Sequence, residues 1–357
     1  MHPFHQRNLS KLLDAGRVVA ACMIFYYHLG YVIELPASRL GEYAVTFYIL
    51  AAGISYLTFS GGSEGSNWNY FKRRARAILP TYWLVNGALY LISFFIHSNL
   101  QRPFSFMEFI LSFAGVSQYF GIRYLTTSMW FIPFVLQLYL VLPLLRDLLL
   151  HKNGVVFMGV AGAISLLFNF FTVHLWPDAA MNICRNWSPL FRLPEICLGL
   201  AVGAAIAGKI SRQKLVITWG VFGLTELSFH YGLVNSNEYV SHLSLWGTLQ
   251  AGLVVLIAWL LQSLLSATRE DAGDLLRECG KASFPFFLIH AAGLAYVGQR
   301  FGWTGRFYAY FAVCWLISFV WAASKRSSGS LTSETQVPQV FASRLQGEKT
   351  VTPAIRA

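Results

Sequence analysis

Three side chains that can exchange protons or bind anions lie on one apolar stretch near the start of the chain. They are Asp14, Arg17 and His28, within LDAGRVVAACMIFYYHLG. On a helix, the spacing from Arg17 to His28 places the two nearly in line and about 16 Å apart. Asp14 lies one turn from Arg17 and can hold its guanidinium by a paired hydrogen bond. Because a charged group inside a membrane span costs at least ~2.5 kcal/mol, such groups usually face a protein interior or a wet cavity. The spacing therefore predicts a buried polar site.

Proton transfer and anion binding are the chemistry that these residues offer. A histidine titrates near neutral pH and can act as a general base, and an arginine presents a planar fork that matches phosphate oxygens. Each residue also has a plainer interpretation. Arg17 can lie at the cytoplasmic edge and reach the lipid headgroups, and His28 can simply hydrogen-bond inside a helix bundle. The sequence alone leaves both interpretations open.

The composition indicates an integral membrane protein. The 357 residues are 55% hydrophobic and only 12% charged, whereas a soluble domain has about 25% charged residues. The mean hydropathy is +0.50. The net charge of +11 comes from Lys and Arg between apolar runs, so we expect no nucleic-acid partner. The five cysteines have no metal-ligand spacing, so we expect neither a disulfide framework nor a metal site.

Ten apolar runs have roughly the ~20 residues that a helix needs to span a bilayer. They lie near 15–33, 42–60, 79–97, 129–146, 155–175, 189–208, 214–233, 243–265, 283–299 and 304–323. We therefore expect an all-α, polytopic protein with about ten transmembrane helices around a polar intramembrane site. Residues 103–122 are apolar and aromatic and predict an interfacial helix. Residues 1–323 form the expected transmembrane domain, and 324–357 a polar, disordered cytoplasmic tail.

The loops between these runs differ strongly in charge. One alternate set, with the termini, holds 19 Lys and Arg residues, and the opposite set holds 6. Because cytoplasmic loops carry the excess of basic residues, both termini are predicted to be cytoplasmic.

Further ionisable groups interrupt the apolar pattern. Arg73, Arg74 and Arg76 precede Pro80; such a cluster is a routine topology signal, but it can also bind phosphates. Arg192 and Glu195 can form a structural ion pair. His290, in FPFFLIHAAG, is another ionisable group at membrane depth.

Several motifs together resemble the membrane-bound acyltransferases of family 3. The first-helix pattern of Asp, two residues, Arg, ten residues and His is met by Asp14, Arg17 and His28. In the family's order there follow RRARAILPTYW, with Arg73 and Arg76, then MWFIPFVLQLYLVLPLL, FRLPEICLGLAVG and FPFFLIHAAG. One departure is Ala52, which replaces the usual Ser beside Gly53 in the second helix.

The resemblance implies transfer of an acyl group, most often acetyl, from cytoplasmic acyl-CoA to a sugar hydroxyl of a surface or exported glycan. Acetyl-CoA would be the donor, with no metal, and a glycan or lipid-linked sugar the acceptor. The expected location is the cell inner membrane. His28 would be the general base, with Arg17 and Asp14 beside it in the catalytic site, and Arg73 and Arg76 would bind the CoA phosphates. Arg17 would bind a donor phosphate or stabilise oxyanion charge.

A second class of function fits the same ionisable groups. In a multi-pass transporter or flippase for a lipid-linked sugar, they would line the substrate path. The sequence contains no internal repeat of the kind that marks many transporters.

Reporter fusions test the predicted topology. A fusion after Lys152 is expected to report the cytoplasm and one after Asn237 the opposite side, because the two loops belong to the basic and the non-basic set. Equal signals from the two fusions would contradict the topology.

Overall fold

A computed structural model describes residues 3–33, 41, 44–59, 67–96, 105–116, 130–175, 188–228, 238–268, 272–301 and 304–333. These residues form α-helices, 3-10 turns and short connections. The helices are α1 (Pro3–Ile33), α2 (Val45–Phe59), α3 (Asn67–Ile96), α4 (Phe106–Phe113), α5 (Phe131–Leu150), α6 (Gly154–Leu175), α7 (Leu193–Ile206), α8 (Arg212–Ser228), α9 (Glu238–Thr268), α10 (Ala272–Phe301) and α11 (Thr304–Ser333), and the 3-10 turn Pro189–Arg192 leads into α7.

The all-helical fold predicted from the sequence is confirmed, and each of the ten apolar runs overlaps a helix. Five stretches of the described residues are long and apolar enough to cross a membrane: Asn8–Gly30, Phe131–Leu150, Pro189–Ile206, Thr248–Leu265 and Phe307–Ser324. The count of ten spans stays a prediction. Helix α11 continues to Ser333, inside the predicted tail, and residues 334–357 lie outside the described part of the chain.

The outer surface of the bundle is apolar, as a lipid-facing surface must be. Large apolar side chains are exposed along α9 and α11, among them Trp259, Leu264, Leu316 and Val320. A soluble protein rarely exposes a contiguous apolar surface of this kind. Together with the apolar helices, this surface indicates a membrane protein.

Helix α1 is the centre of the bundle, since it packs against α10, α9 and α2. Its most extensive contact is with α10, which in turn packs against α11. Near the start of both helices, a Cβ on Gly280 would lie 2.6 Å from the Cβ of Asp14, so only glycine fits there. Further along, His28 contacts His290. Because these two contacts occur in the same order, α1 and α10 run side by side and parallel.

Parallel spans constrain the number of crossings between them. If α1 and α10 both cross the membrane, an odd number of spans must separate them. The seven apolar runs between the first and the ninth meet that requirement.

A short helix, α4, lies where the sequence predicts an interfacial helix. Its first turn is capped by Ser105, whose Oγ accepts a hydrogen bond from the backbone N–H of Glu108 at 3.4 Å. Side chains of α3 bind its other end: Trp83 Nε1 donates to the Phe113 carbonyl at 3.0 Å. On its opposite face Phe106 and other large apolar side chains are exposed, as an interfacial helix requires.

Helices α2 and α7 approach closely through glycines. A Cβ on Gly199 would lie 2.8 Å from the Leu50 carbonyl oxygen, and one on Gly203 would lie 2.9 Å from the Ile54 Cα. Small residues at such positions let helix backbones come into contact inside a membrane, where packing rather than water drives association.

This crossing predicts a sharp difference between two glycines. Gly199→Ala forces the backbones of α2 and α7 apart, and overpacking of this kind typically costs ~1–3 kcal/mol. Gly252→Ala in α9 is the control, because a Cβ there meets nothing within 4 Å. Thermal unfolding of the detergent-purified protein should show a lowered Tm for Gly199→Ala and an unchanged or raised Tm for Gly252→Ala. Equal Tm values would contradict close packing at this crossing.

Candidate active site

The centre of the candidate site is a contact between two histidines from helices distant in sequence. Nδ1 of His28, on α1, lies 2.7 Å from Nε2 of His290, on α10. The two rings are nearly coplanar, at 13°, and their centroids are 4.9 Å apart. That separation is about the nitrogen–nitrogen distance plus two ring radii, so the rings meet edge to edge. The contact is therefore an in-plane hydrogen bond rather than a stacking interaction.

Aromatic rings surround His290. Phe286 stacks on His290 with centroids 5.5 Å apart, and Phe25 and Phe287 lie 6.1 and 5.6 Å from the same ring. His290 is fully buried, while His28 is only partly buried. One histidine is thus sealed in the helix interface and the other lies at its edge.

Hydrogen bonds to the backbone hold His290 in place. Its Nδ1 lies 3.2 Å from the carbonyl oxygen of Phe286, one turn earlier on α10. The Tyr310 hydroxyl, on α11, contacts the carbonyl oxygens of Ile289 and His290 at 2.9 and 3.0 Å. These bonds fix both the ring and the backbone that carries it.

Asp14 and Arg17 form an ion pair on the first half of α1, as their spacing predicts. The Asp14 side chain is 8% exposed and that of Arg17 is 34% exposed, so the guanidinium is accessible at its outer side. Gly16 leaves room for the ring of Phe47. The Tyr48 hydroxyl donates to the Arg17 carbonyl at 2.9 Å. The pair is thus held by α2 as well as by α1.

The basic cluster on α3 divides into two parts. Arg73 and Arg76 are exposed. Arg74 instead lies against the rings of Tyr70 and Tyr139, with its guanidinium carbon 5.5 and 5.8 Å from their centroids. Burial raises the pKa of the Tyr70 hydroxyl, so that phenol is neutral at physiological pH. Arg74 therefore serves in cation–π packing of α3 against α5. The guanidinium carbon of Arg73 also lies 5.9 Å from the Tyr70 ring centroid, but Arg73 and Arg76 are both exposed and can meet a ligand.

A second buried ion pair lies at the start of α7, where the sequence predicts one. Nη1 of Arg192 is 2.7 Å from Oε1 of Glu195, and their side chains are 5% and 0% exposed. A charge at such depth is tolerated when it is paired. The structural ion pair expected here is confirmed.

The structure brings some of the predicted site residues into contact and leaves others apart. Asp14 contacts Arg17, and His28 contacts His290. Arg73 and Arg76 lie on α3 and make no hydrogen bond or ion pair with the α1 site residues in the described part. No group of three or more His, Cys, Asp or Glu side chains that could hold a metal occurs among the described residues.

The sequence singles out His290 as an ionisable group at membrane depth, but it does not predict the contact of His290 with His28. The sequence does mark His290 as a candidate site residue, because it is an ionisable group in an apolar helix. The contact itself joins residues 262 positions apart, and no local pattern predicts such a pairing.

The same segments carry a family relationship. The sequence model of family 3 acyltransferases, described as an acyltransferase domain, matches residues 11–325. The chain belongs to this family. No curated protein and no solved structure matches the chain significantly.

Membership of this family indicates that the reaction at the site is acyl transfer. The matched region begins before Asp14 and ends after Tyr310, so it includes both ion pairs and both histidines. The protein is thus a membrane acyltransferase whose candidate site lies between α1 and α10. Ala52, the departure in the second helix, lies beside the Gly53 that contacts α7, away from the hydrogen bonds of the two histidines.

Proposed function

We propose that this membrane acyltransferase moves an acetyl or similar acyl group from acyl-CoA to a sugar hydroxyl of a surface or exported glycan. The observation that carries the proposal is the position of His28 in the family's first-helix motif, hydrogen-bonded to a buried histidine at the edge of an aromatic enclosure. A sugar hydroxyl is a poor nucleophile, and a neutral imidazole within reach can take its proton during attack. The acceptor and the donor are parts of the proposal.

The transfer requires one proton to move twice. The hydroxyl oxygen attacks the thioester carbonyl carbon while its proton passes to His28. The carbon–sulfur bond then breaks, and the CoA thiolate leaves and takes the proton from His28. The histidine ends in its starting state, and the acceptor carries an ester.

The position of Arg17 favours a role in donor binding over a role at the reacting carbonyl. Along a helix, Arg17 lies about 16 Å from His28. Its guanidinium pairs with Asp14, one turn further from His28. A group so placed cannot reach an oxyanion that forms beside His28, but it can meet a phosphate at the far end of the long pantetheine arm. Asp14 would then orient Arg17.

Arg73 and Arg76 are the proposed contacts for the remaining phosphates of CoA. Helix α3 has 30 residues, about 45 Å, which is longer than the ~30 Å hydrocarbon core. Its basic first turns would extend beyond the bilayer on the cytoplasmic side, where acyl-CoA is found. Arginine forks there can bind phosphate oxygens in bidentate fashion. We also place the protein in the cell inner membrane with both termini cytoplasmic.

Transfer and transport predict different results in a turnover assay. Membranes that contain the protein, supplied with labelled acetyl-CoA and a cell glycan extract, are expected to yield labelled glycan. A flippase for a lipid-linked sugar would leave the glycan unlabelled, and that result would overturn the proposal.

His28→Gln separates a catalytic from a structural histidine. The amide offers a donor and an acceptor but cannot take and return a proton, and loss of a general base typically lowers the rate ~10²–10⁴-fold. We expect the variant to accumulate normally and to transfer almost no acyl group. His97→Gln is the matched control and should remain active. Normal transfer by His28→Gln would place the base elsewhere.

Arg73→Ala and Arg76→Ala test the donor site. Loss of a charge-assisted hydrogen bond removes ~1.5–3 kcal/mol, so KM for acyl-CoA is expected to rise about tenfold or more while kcat changes little. The control is Lys209→Ala, which removes an exposed charge from the same predicted side of the membrane. A changed KM for the acceptor with an unchanged KM for acyl-CoA would contradict the phosphate role.

A further inference from the structure

The hydrogen bonds around the two histidines determine which nitrogen carries each proton. The Phe286 carbonyl oxygen can only accept a hydrogen bond, so Nδ1 of His290, 3.2 Å away, must be the donor. In a neutral imidazole the other nitrogen is then an acceptor. Nε2 of His290 therefore presents its lone pair to α1.

The same reasoning extends to His28. Its Nδ1 lies 2.7 Å from the accepting Nε2 of His290, so this Nδ1 carries the proton and donates it. Nε2 of His28 is left with a free lone pair. No described residue forms a hydrogen bond with that atom, and His28 is the less buried of the two rings. The free nitrogen is thus on the less buried ring of the pair.

We infer that His290 is a positioning residue, which holds His28 in the tautomer that presents Nε2 as the base in acyl transfer. This inference rests on the proposed function, because it names the atom that takes the hydroxyl proton. A carboxylate has the same role beside the histidine of serine hydrolases, where it fixes the tautomer and the ring orientation. Here the orienting group is a second imidazole, and its own tautomer is fixed by a backbone carbonyl.

The proton path follows from these assignments. Nε2 of His28 takes the hydroxyl proton as the carbon–oxygen bond forms, and the resulting imidazolium keeps its hydrogen bond from Nδ1 to His290. When the carbon–sulfur bond breaks, Nε2 returns that proton to the CoA thiolate. His290 keeps its Nδ1 proton throughout and is neither oxidised nor acylated.

Two amide replacements of His290 distinguish positioning from packing. The amide of Gln reaches the place of Nε2, so its oxygen can accept the His28 Nδ1 proton. The shorter Asn reaches only the place of Nδ1 and cannot. Both amides are polar and smaller than the ring. We expect His290→Asn to lower kcat at least tenfold with an unchanged KM for acyl-CoA. His290→Gln should keep most of the wild-type kcat. All rates are divided by the amount of monodisperse protein in the sample.

Each outcome of this comparison has a clear meaning. Wild-type kcat in His290→Asn would overturn the positioning role, as would equal losses in the Asn and Gln variants. A rise in KM without a loss in kcat would also overturn it. Absence of transfer by the wild-type protein would overturn the proposed function and this inference with it, so the two failures are distinguishable.

A measurement on the wild-type protein avoids any dependence on variant folding. Diethyl pyrocarbonate acylates imidazole nitrogens that carry a free lone pair. Peptide mapping of membranes after partial inactivation should find modified His28 and unmodified His290, with modification in proportion to lost activity. Modification of His290 ahead of His28 would contradict the assignment of the free nitrogen.

Discussion

A hydrogen bond between two imidazoles joins the first helix to the late helix α10, and the rest of the site depends on it. Inside an apolar bundle, a polar ring without a partner is costly, because water is not available to replace the lost hydrogen bond. His28 and His290 satisfy each other across the interface, and the Phe286 carbonyl satisfies the second ring. The geometry requires α1 and α10 to lie side by side, which Gly280 permits by leaving no side chain against Asp14.

The charged groups inside the bundle also need partners. Asp14 is paired with Arg17 on α1, and Arg192 with Glu195 at the start of α7. In both cases the partners are three residues apart on one helical stretch, so the helix itself brings each acid beside its arginine. The pairs differ in access. Arg17 is one-third exposed whereas Arg192 is 5% exposed, so only the first pair can offer its cation to a ligand.

Local spacing predicts the parts of this site that lie on one helix. The distance of three residues from Asp14 to Arg17 predicts their pairing, and the apolar run around them predicts a helix. The fold class follows from the length and number of such runs. The contact of His28 with His290 is different in kind, since it depends on which helices are neighbours. Hydropathy alone does not specify that arrangement, because lipid-facing and buried faces of these helices are both apolar.

The cluster of arginines on α3 is another case in which the sequence alone does not predict the contacts. Arg73, Arg74 and Arg76 are chemically equivalent in the sequence, yet Arg74 is placed over two tyrosine rings and its neighbours are exposed. The helix period alone puts Arg74 on a different side of α3 from Arg73 and Arg76. Which side meets an aromatic surface is decided by α5, which supplies Tyr139. Packing therefore decides which arginines stay exposed.

The depth of His28 indicates how the two substrates would approach it under the proposed orientation. If α1 enters the hydrocarbon core near Leu13, His28 lies about 22 Å further along the helix, beyond the middle of a core that is ~30 Å thick. Arg17 would then lie near the cytoplasmic surface, at about 6 Å on the same scale. A donor whose phosphates stay with Arg17 would have to extend its arm by about 16 Å, roughly half of the core thickness, to place the thioester beside His28. The proposed sugar hydroxyl would have the shorter path from the opposite surface, so the helix that carries both residues would itself separate a donor side from an acceptor side.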